Sequence, residues 1–210
     1  PTSAPAPVKF NWKKWTRKTH YLAAIVHALQ RLLPADAVLT NGAGNFASWL
    51  HRFYRYPGLV RGHKTQLAPT NGAMGYGVPA AIAAKVADPQ RCVVCFAGDG
   101  DFQMTCQELA TAAQAGAQPI ILILNNGIYG TIRAHQERHY PERVLGTDMA
   151  SPDFSMLAAA YGFHGERVER TADFPAAFER ARASKTGAVL DLVISPEALT
   201  PRQTLTQMRE

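Results

Sequence analysis

Three cysteines in 210 residues do not make a disulfide framework. Cys92 and Cys95 have the CxxC spacing of a redox or zinc motif, but they lie in an apolar run, where an odd offset along a strand turns two side chains to opposite faces. They are expected to be buried structural thiols. Cys106, expected in the first turn of a helix, has no neighbour that looks like a catalytic partner. No apolar stretch approaches about 18 residues, which excludes a membrane-spanning helix, and the N-terminus lacks the apolar core of a signal peptide. A cytoplasmic chain is the expectation. Acidic residues are outnumbered 16 to 22, giving a net charge of +6. The basic cluster Lys9, Lys13, Lys14, Arg17 and Lys18 carries no nucleic-acid-binding motif and reads as a solvated linker. A third glycine is also lacking. Gly98-Asp99-Gly100-Asp101-Phe102-Gln103 supplies two positions of GxGxxG, and Gly72, Gly75 and Gly77 come in the wrong order, so a nicotinamide site is not expected.

What is present is a 47% hydrophobic chain, enough for one well-packed domain. From Thr19, the positions Leu22, Ile25, Val26, Leu29, Leu32 and Leu33 form a helical stripe that Pro34 stops. A strand at Ala37 to Thr40 is followed by the turn Asn41 to Asn45. Leu67 to Ala87 reads as a loop entering an alanine-rich helix. Strands at Cys92 to Ala97 and Pro119 to Leu124 flank a helix from Thr105 to Ala115, which opens on the capping-box pattern Thr105 to Glu108 and ends before Gly116. The polar stretch 127–150 is expected to hold a short helix and a lid. A helix from Asp153, a strand at His164 to Val168, a helix from Asp173 and a strand at Ala188 to Ile194 complete the alternation. This pattern predicts a single α/β domain, a doubly wound parallel sheet with helices on both faces. It is expected over 19–196, after a linker over 1–18 that holds Trp12 and Trp15, and before a tail over 197–210.

Ligands of such sheets bind at the carboxyl ends of the strands, where Gly44, Gly98 and Asn126 fall. Asp99 follows one apolar strand, and Asn126 lies 27 residues further on, after the next. One βαβ unit brings both to the same sheet edge. A carboxylate, an amide oxygen and glycine-exposed backbone suit Mg²⁺ shared with phosphates.

The stretch from Gly98 to Asn126 resembles the thiamine-diphosphate motif, and residues from about Ala37 to Val168 look like the C-terminal, diphosphate-binding domain of acetolactate synthase and related 2-oxo acid decarboxylases and carboligases. The resemblance implies that Asp99, Asn126 and the Ile128 carbonyl bind Mg²⁺. It also implies that Met74, within Asn71-Gly72-Ala73-Met74-Gly75-Tyr76-Gly77, wedges the cofactor into a bent shape while the Gly72 carbonyl accepts a hydrogen bond from its 4′-amino group. Gly44, Asn45 and Phe46 align with a segment touching the diphosphate, although Asn45 also reads as a simple helix cap. Gly98 and the backbone amides of Gly100, Asp101 and Phe102 line the motif. In this family a glutamate at the pyrimidine N1′ comes from another domain, usually of another subunit, and no context for it occurs here. The implied partners are that domain and a 2-oxo acid, in a homodimer or homotetramer, with FAD open for a further domain.

The chain departs from acetolactate synthases after the asparagines, where His135 stands in place of a tryptophan. His135 reads either as a proton carrier near the thiazolium or as a solvent-facing helix residue, and Arg133 as a partner for a substrate carboxylate. Two alternatives stay open beside a fragment of a decarboxylase or carboligase. One is the small subunit of a split decarboxylase of the sulfopyruvate or phosphonopyruvate type, and the other is a non-catalytic cofactor-binding assembly domain.

Overall fold

The computed structural model describes residues 20–58, 62 and 64–210. The expected linker, its two tryptophans and basic cluster, and Thr19 lie outside them. Six strands form one parallel sheet: β1 (Val38–Asn41), β2 (Gln66–Leu67), β3 (Val93–Gly98), β4 (Ile120–Asn125), β5 (His164–Val168) and β6 (Ala188–Val193), in the order β2-β1-β3-β4-β6-β5. The helices are α1 (His20–Leu32), α2 (Ala47–Phe53), α3 (Gly77–Ala87), α4 (Asp99–Gln103), α5 (Glu108–Ala115), α6 (Gly130–His139), α7 (Phe154–Ala160) and α8 (Phe174–Ala183).

The central strands are continuous apolar runs because both their faces are covered. Val94, Phe96, Leu122, Leu124 and Leu190 pack under α1, α2 and α8, against Leu29, Trp49 and Phe178. The alternate residues Cys95, Ala97, Ile121 and Ile123 pack under α3, α5 and α7, against Ala81, Leu109 and Phe154. The expected doubly wound sheet is therefore formed. Cys92 packs against the first layer and Cys95 lies inside the second, so the CxxC pair does face opposite ways. Burial pushes the Cys95 thiol up to about 12.

One local expectation fails. The helix foreseen from Thr105 starts three residues later, as α5 at Glu108, and a separate short helix, α4, starts directly on the tip of β3. Gln107 flanks α5 without a side-chain cap bond. The Thr105 hydroxyl instead donates to the carbonyl of Gly75 at 2.8 Å, so a tertiary contact has taken the capping group. Cys106 consequently sits, half-buried, between two helices. The far end of α5 is as expected. Gly116 adopts a left-handed conformation (φ 63°), and the next amide, of Ala117, reaches back to the Ala112 carbonyl.

From β1 the chain turns into α2 on one face, and from β3 into α4 and α5, the latter on the other. Neighbouring strands whose connections diverge leave a crevice at their carboxyl ends. After β6, Leu199, Leu205 and Met208 fold back onto Ile128 and Ala134 of the α6 region. There Arg209 closes a two-bond ion pair with Glu137 at 2.8 and 2.9 Å. Among the described residues no helix is long and apolar enough to cross a membrane.

Candidate functional site

The crevice between the tips of β1, β3 and β4 is lined by Gly44, Asn45, Phe46, Met74, Gly98, Asp99, Gly100, Asp101, Asn126 and Ile128. Segments from 44 to 128 thus converge on one cavity. Its glycines permit the convergence. A Cβ at Gly98 would stand 2.8 Å from the Phe46 ring, and one at Gly100 2.8 Å from the Tyr129 ring, so side chains there would hold the β1 and β4 loops off the β3 tip.

Asp99 begins α4 and is 3% exposed. Its Oδ2 accepts the Gly127 amide at 2.8 Å and the Ser151 hydroxyl at 3.3 Å. Burial raises its pKa above the ordinary carboxylate value, and the amide of Gly127 offsets part of that rise. Asn125 and Asn126 have separate tasks. The Asn125 amide donates to buried Asp191 at 2.9 Å, tying β4 to β6, whereas Asn126 lines the cavity and its Oδ1 accepts the Ile128 amide at 3.1 Å. The Tyr129 amide donates to the Thr147 carbonyl and the Met149 amide to the Gly127 carbonyl, so a short antiparallel bridge fixes the strand on which Ile128 sits.

Asp101 is also buried, and burial pushes its pKa up to about 6 against the hydrogen bonds of the Gly75 and Ala43 amides. The cavity therefore carries two carboxylates, and no Lys, Arg or His is among its described lining residues. No group of three or more His, Cys, Asp or Glu gathers as a self-contained metal cage among the described residues. One carboxylate, one amide oxygen and one carbonyl fit a hard cation that arrives with oxygens of its own, and that cation would relieve the buried charge of Asp99.

Three candidates lie elsewhere. Gly72 is exposed at φ 70° and is not part of the lining. Phe102 is 1% exposed and meets Phe154 edge-on at 5.4 Å in the second core layer, so only its backbone is near the site. His135 is exposed on α6 and stacks on His139 at 6.4 Å, outside the cavity lining. Arg133 is turned away as well: it binds the Thr147 hydroxyl at 2.6 Å and the Asp148 carboxylate, bracing the bridge instead of facing a ligand. At Asn45 the backbone amide donates to the Thr131 hydroxyl at 3.1 Å, and α2 starts after Phe46 without a side-chain cap. The sequence did not reveal Ser151, Thr131 or the apolar wall formed by Leu22, Ile194 and Leu199. These are ordinary residues remote from any motif, and no local signal marked them.

Residues 42–192 match a family model described as the thiamine pyrophosphate enzyme, C-terminal TPP binding domain. The chain is 32% identical over 195 residues to the acetolactate synthase large subunit of Cyanidium caldarium, covering 87% of this chain and 32% of that protein. It is 36% identical over 180 residues to acetolactate synthase of Mycobacterium bovis, covering 83% and 29%. Against the acetolactate synthase isozyme 2 large subunit of Escherichia coli it is 34% identical over 160 residues, covering 76% and 29%. The chain thus spans about a third of the length of these relatives.

Proposed function

The chain belongs to the thiamine pyrophosphate enzyme family, as its C-terminal TPP-binding domain, and from that premise we propose that its crevice anchors thiamine diphosphate through Mg²⁺ in an enzyme that decarboxylates or joins 2-oxo acids. One observation carries the metal: the cavity holds Asp99 and Asp101 and no cationic side chain among its described lining residues. A diphosphate next to two carboxylates would be repelled unless a divalent cation stood between them.

Asp99, Asn126 and the Ile128 carbonyl would hold that cation, and backbone amides of the Gly44 loop and of Gly100 in the first turn of α4 would face the diphosphate oxygens. Met74, 38% exposed on the cavity rim, would support the cofactor between its two rings. When bound, the cofactor supplies an acidic carbon and a ring that takes up electrons as CO₂ leaves a 2-oxo acid. The apolar wall of Leu22, Ile194 and Leu199 would exclude water on that side.

The crevice is open to solvent, and its volume of about 80 Å³ is well below the roughly 300 Å³ of a pocket that buries a whole small ligand. That size fits one end of a cofactor, with the other end covered by a partner domain carrying the N1′ glutamate, in a homodimer or homotetramer. Titration of the intact protein with thiamine diphosphate, in Mg²⁺ and in EDTA, tests the proposal. Saturable binding that disappears with the metal is expected, and equal binding in both would refute it.

A further inference from the structure

Met74 sits immediately before Gly75, a residue with φ 80° that a side chain would strain. Both polar groups of Gly75 are held by side chains from the segment after β3. Its N–H donates to Asp101 Oδ1 at 2.8 Å, and its carbonyl accepts from the Thr105 hydroxyl at 2.8 Å. A Cβ at Gly75 would lie 2.9 Å from both Met104 Cβ and Thr105 Cγ2, so the loop lies directly on this segment. The same Asp101 carboxylate also takes the Ala43 amide, next to Gly44 on the other cavity wall. Two residues beyond Gly75, Gly77 is fixed through its carbonyl by the Thr40 hydroxyl at 2.7 Å.

We propose that Asp101 and Thr105 are positioning residues: together they clamp the Gly75 peptide and thereby set where Met74 stands relative to the diphosphate end of the crevice. Loop glycines leave the backbone free to move, and a displacement on the order of 1 Å in a reacting geometry costs about two orders of magnitude in rate. Asp101 stands on α4, which Asp99 begins, and Thr105 in the turn that follows it, so the metal end and the wedge end rest on one continuous segment. This role of the side chains is additional to the backbone contacts expected of residues 100–102, and it rests on the proposed cofactor function.

The test uses the intact protein carrying Thr105→Val, which keeps the side-chain shape and removes the donor, and separately Asp101→Asn. Thr105→Ser is the rescue. Without cofactor, amide hydrogen exchange over residues 73–77 is expected to rise by about tenfold or more in the first two variants and to stay near wild type in the third. With thiamine diphosphate and Mg²⁺ bound, exchange of the cofactor C2 proton is expected to slow by about tenfold in the same two variants, while cofactor affinity for Thr105→Val changes by less than about threefold. Unchanged amide exchange in both variants would overturn the clamp, as would faster amide exchange with a normal C2 rate. A wild-type protein that bound no thiamine diphosphate would remove the cofactor function and this role with it. A wild type that binds and exchanges, beside variants that match it, would remove the clamp alone.

Discussion

Replacing Arg209 with alanine is expected to damage the domain more than replacing its partner, because the two ends of the ion pair are buried unequally. The Glu137 side chain is 0% exposed, and its carboxylate accepts two bonds from Arg209 and one from the Glu142 amide at 2.9 Å. The Arg209 side chain is 33% exposed. Arg209→Ala removes both charge-assisted bonds and leaves the carboxylate with the Glu142 amide and the field of Arg133, a change that costs about 2–3 kcal/mol. Glu137→Gln keeps an acceptor for the Glu142 amide, and water can reach the freed guanidinium, so about 1–2 kcal/mol is expected. Arginine holds the Glu137 pKa below its usual value. The folded carboxyl therefore binds its proton more weakly than the unfolded one, and the pair's contribution, full above the unfolded value of about 4.3, is lost as pH falls through the folded value. In Arg209→Ala the largest lowering influence is gone while the Glu142 amide and Arg133 remain, so the pKa moves back toward its usual value and the pH slope of this site flattens. Urea unfolding from pH 3 to pH 8 reads both effects. Equal losses for the two variants, or the same pH slope with and without Arg209, would refute the assignment of the burden to Glu137.

Met74→Ala is expected to keep thiamine diphosphate affinity within about threefold while slowing C2 proton exchange, since the side chain stands on the rim and not among the metal ligands; an unchanged exchange rate by proton NMR would remove its supporting role. The Cys95 thiol, fully buried and pushed up to about 12, should resist iodoacetamide at pH 8 in the folded protein and react once urea unfolds it. Mass spectrometry showing alkylation of Cys95 under native conditions would contradict the packing described for β3.

Much of this architecture was legible because apolar runs and glycine breaks report long-range order in the sheet. The uninterrupted stretches that became β3 and β4 required cover on both faces, and the Asp99 and Asn126 positions at their ends followed from one βαβ unit. The short elements were not legible. β2 is two residues held by pairing with β1, and α2 has no side-chain cap to announce it. Thr105 misled because a hydroxyl serves a helix end and a distant carbonyl equally well, and only the fold decides between them. Asp101 looked like a backbone donor, while its carboxylate in fact spans two loops that the sequence separates by about thirty residues. Packing of Leu199, Leu205 and Met208 onto α6 likewise depends on a partner surface that exists only after folding.

Asp99 is proposed to hold a metal ion that in turn holds the diphosphate. Calorimetric titration of wild type and Asp99→Ala with thiamine diphosphate in saturating Mg²⁺ tests it most directly. A loss of about a hundredfold in affinity, roughly 2.7 kcal/mol, is expected in a variant that stays folded, as judged by its unfolding midpoint. Equal affinity of the two proteins would contradict it.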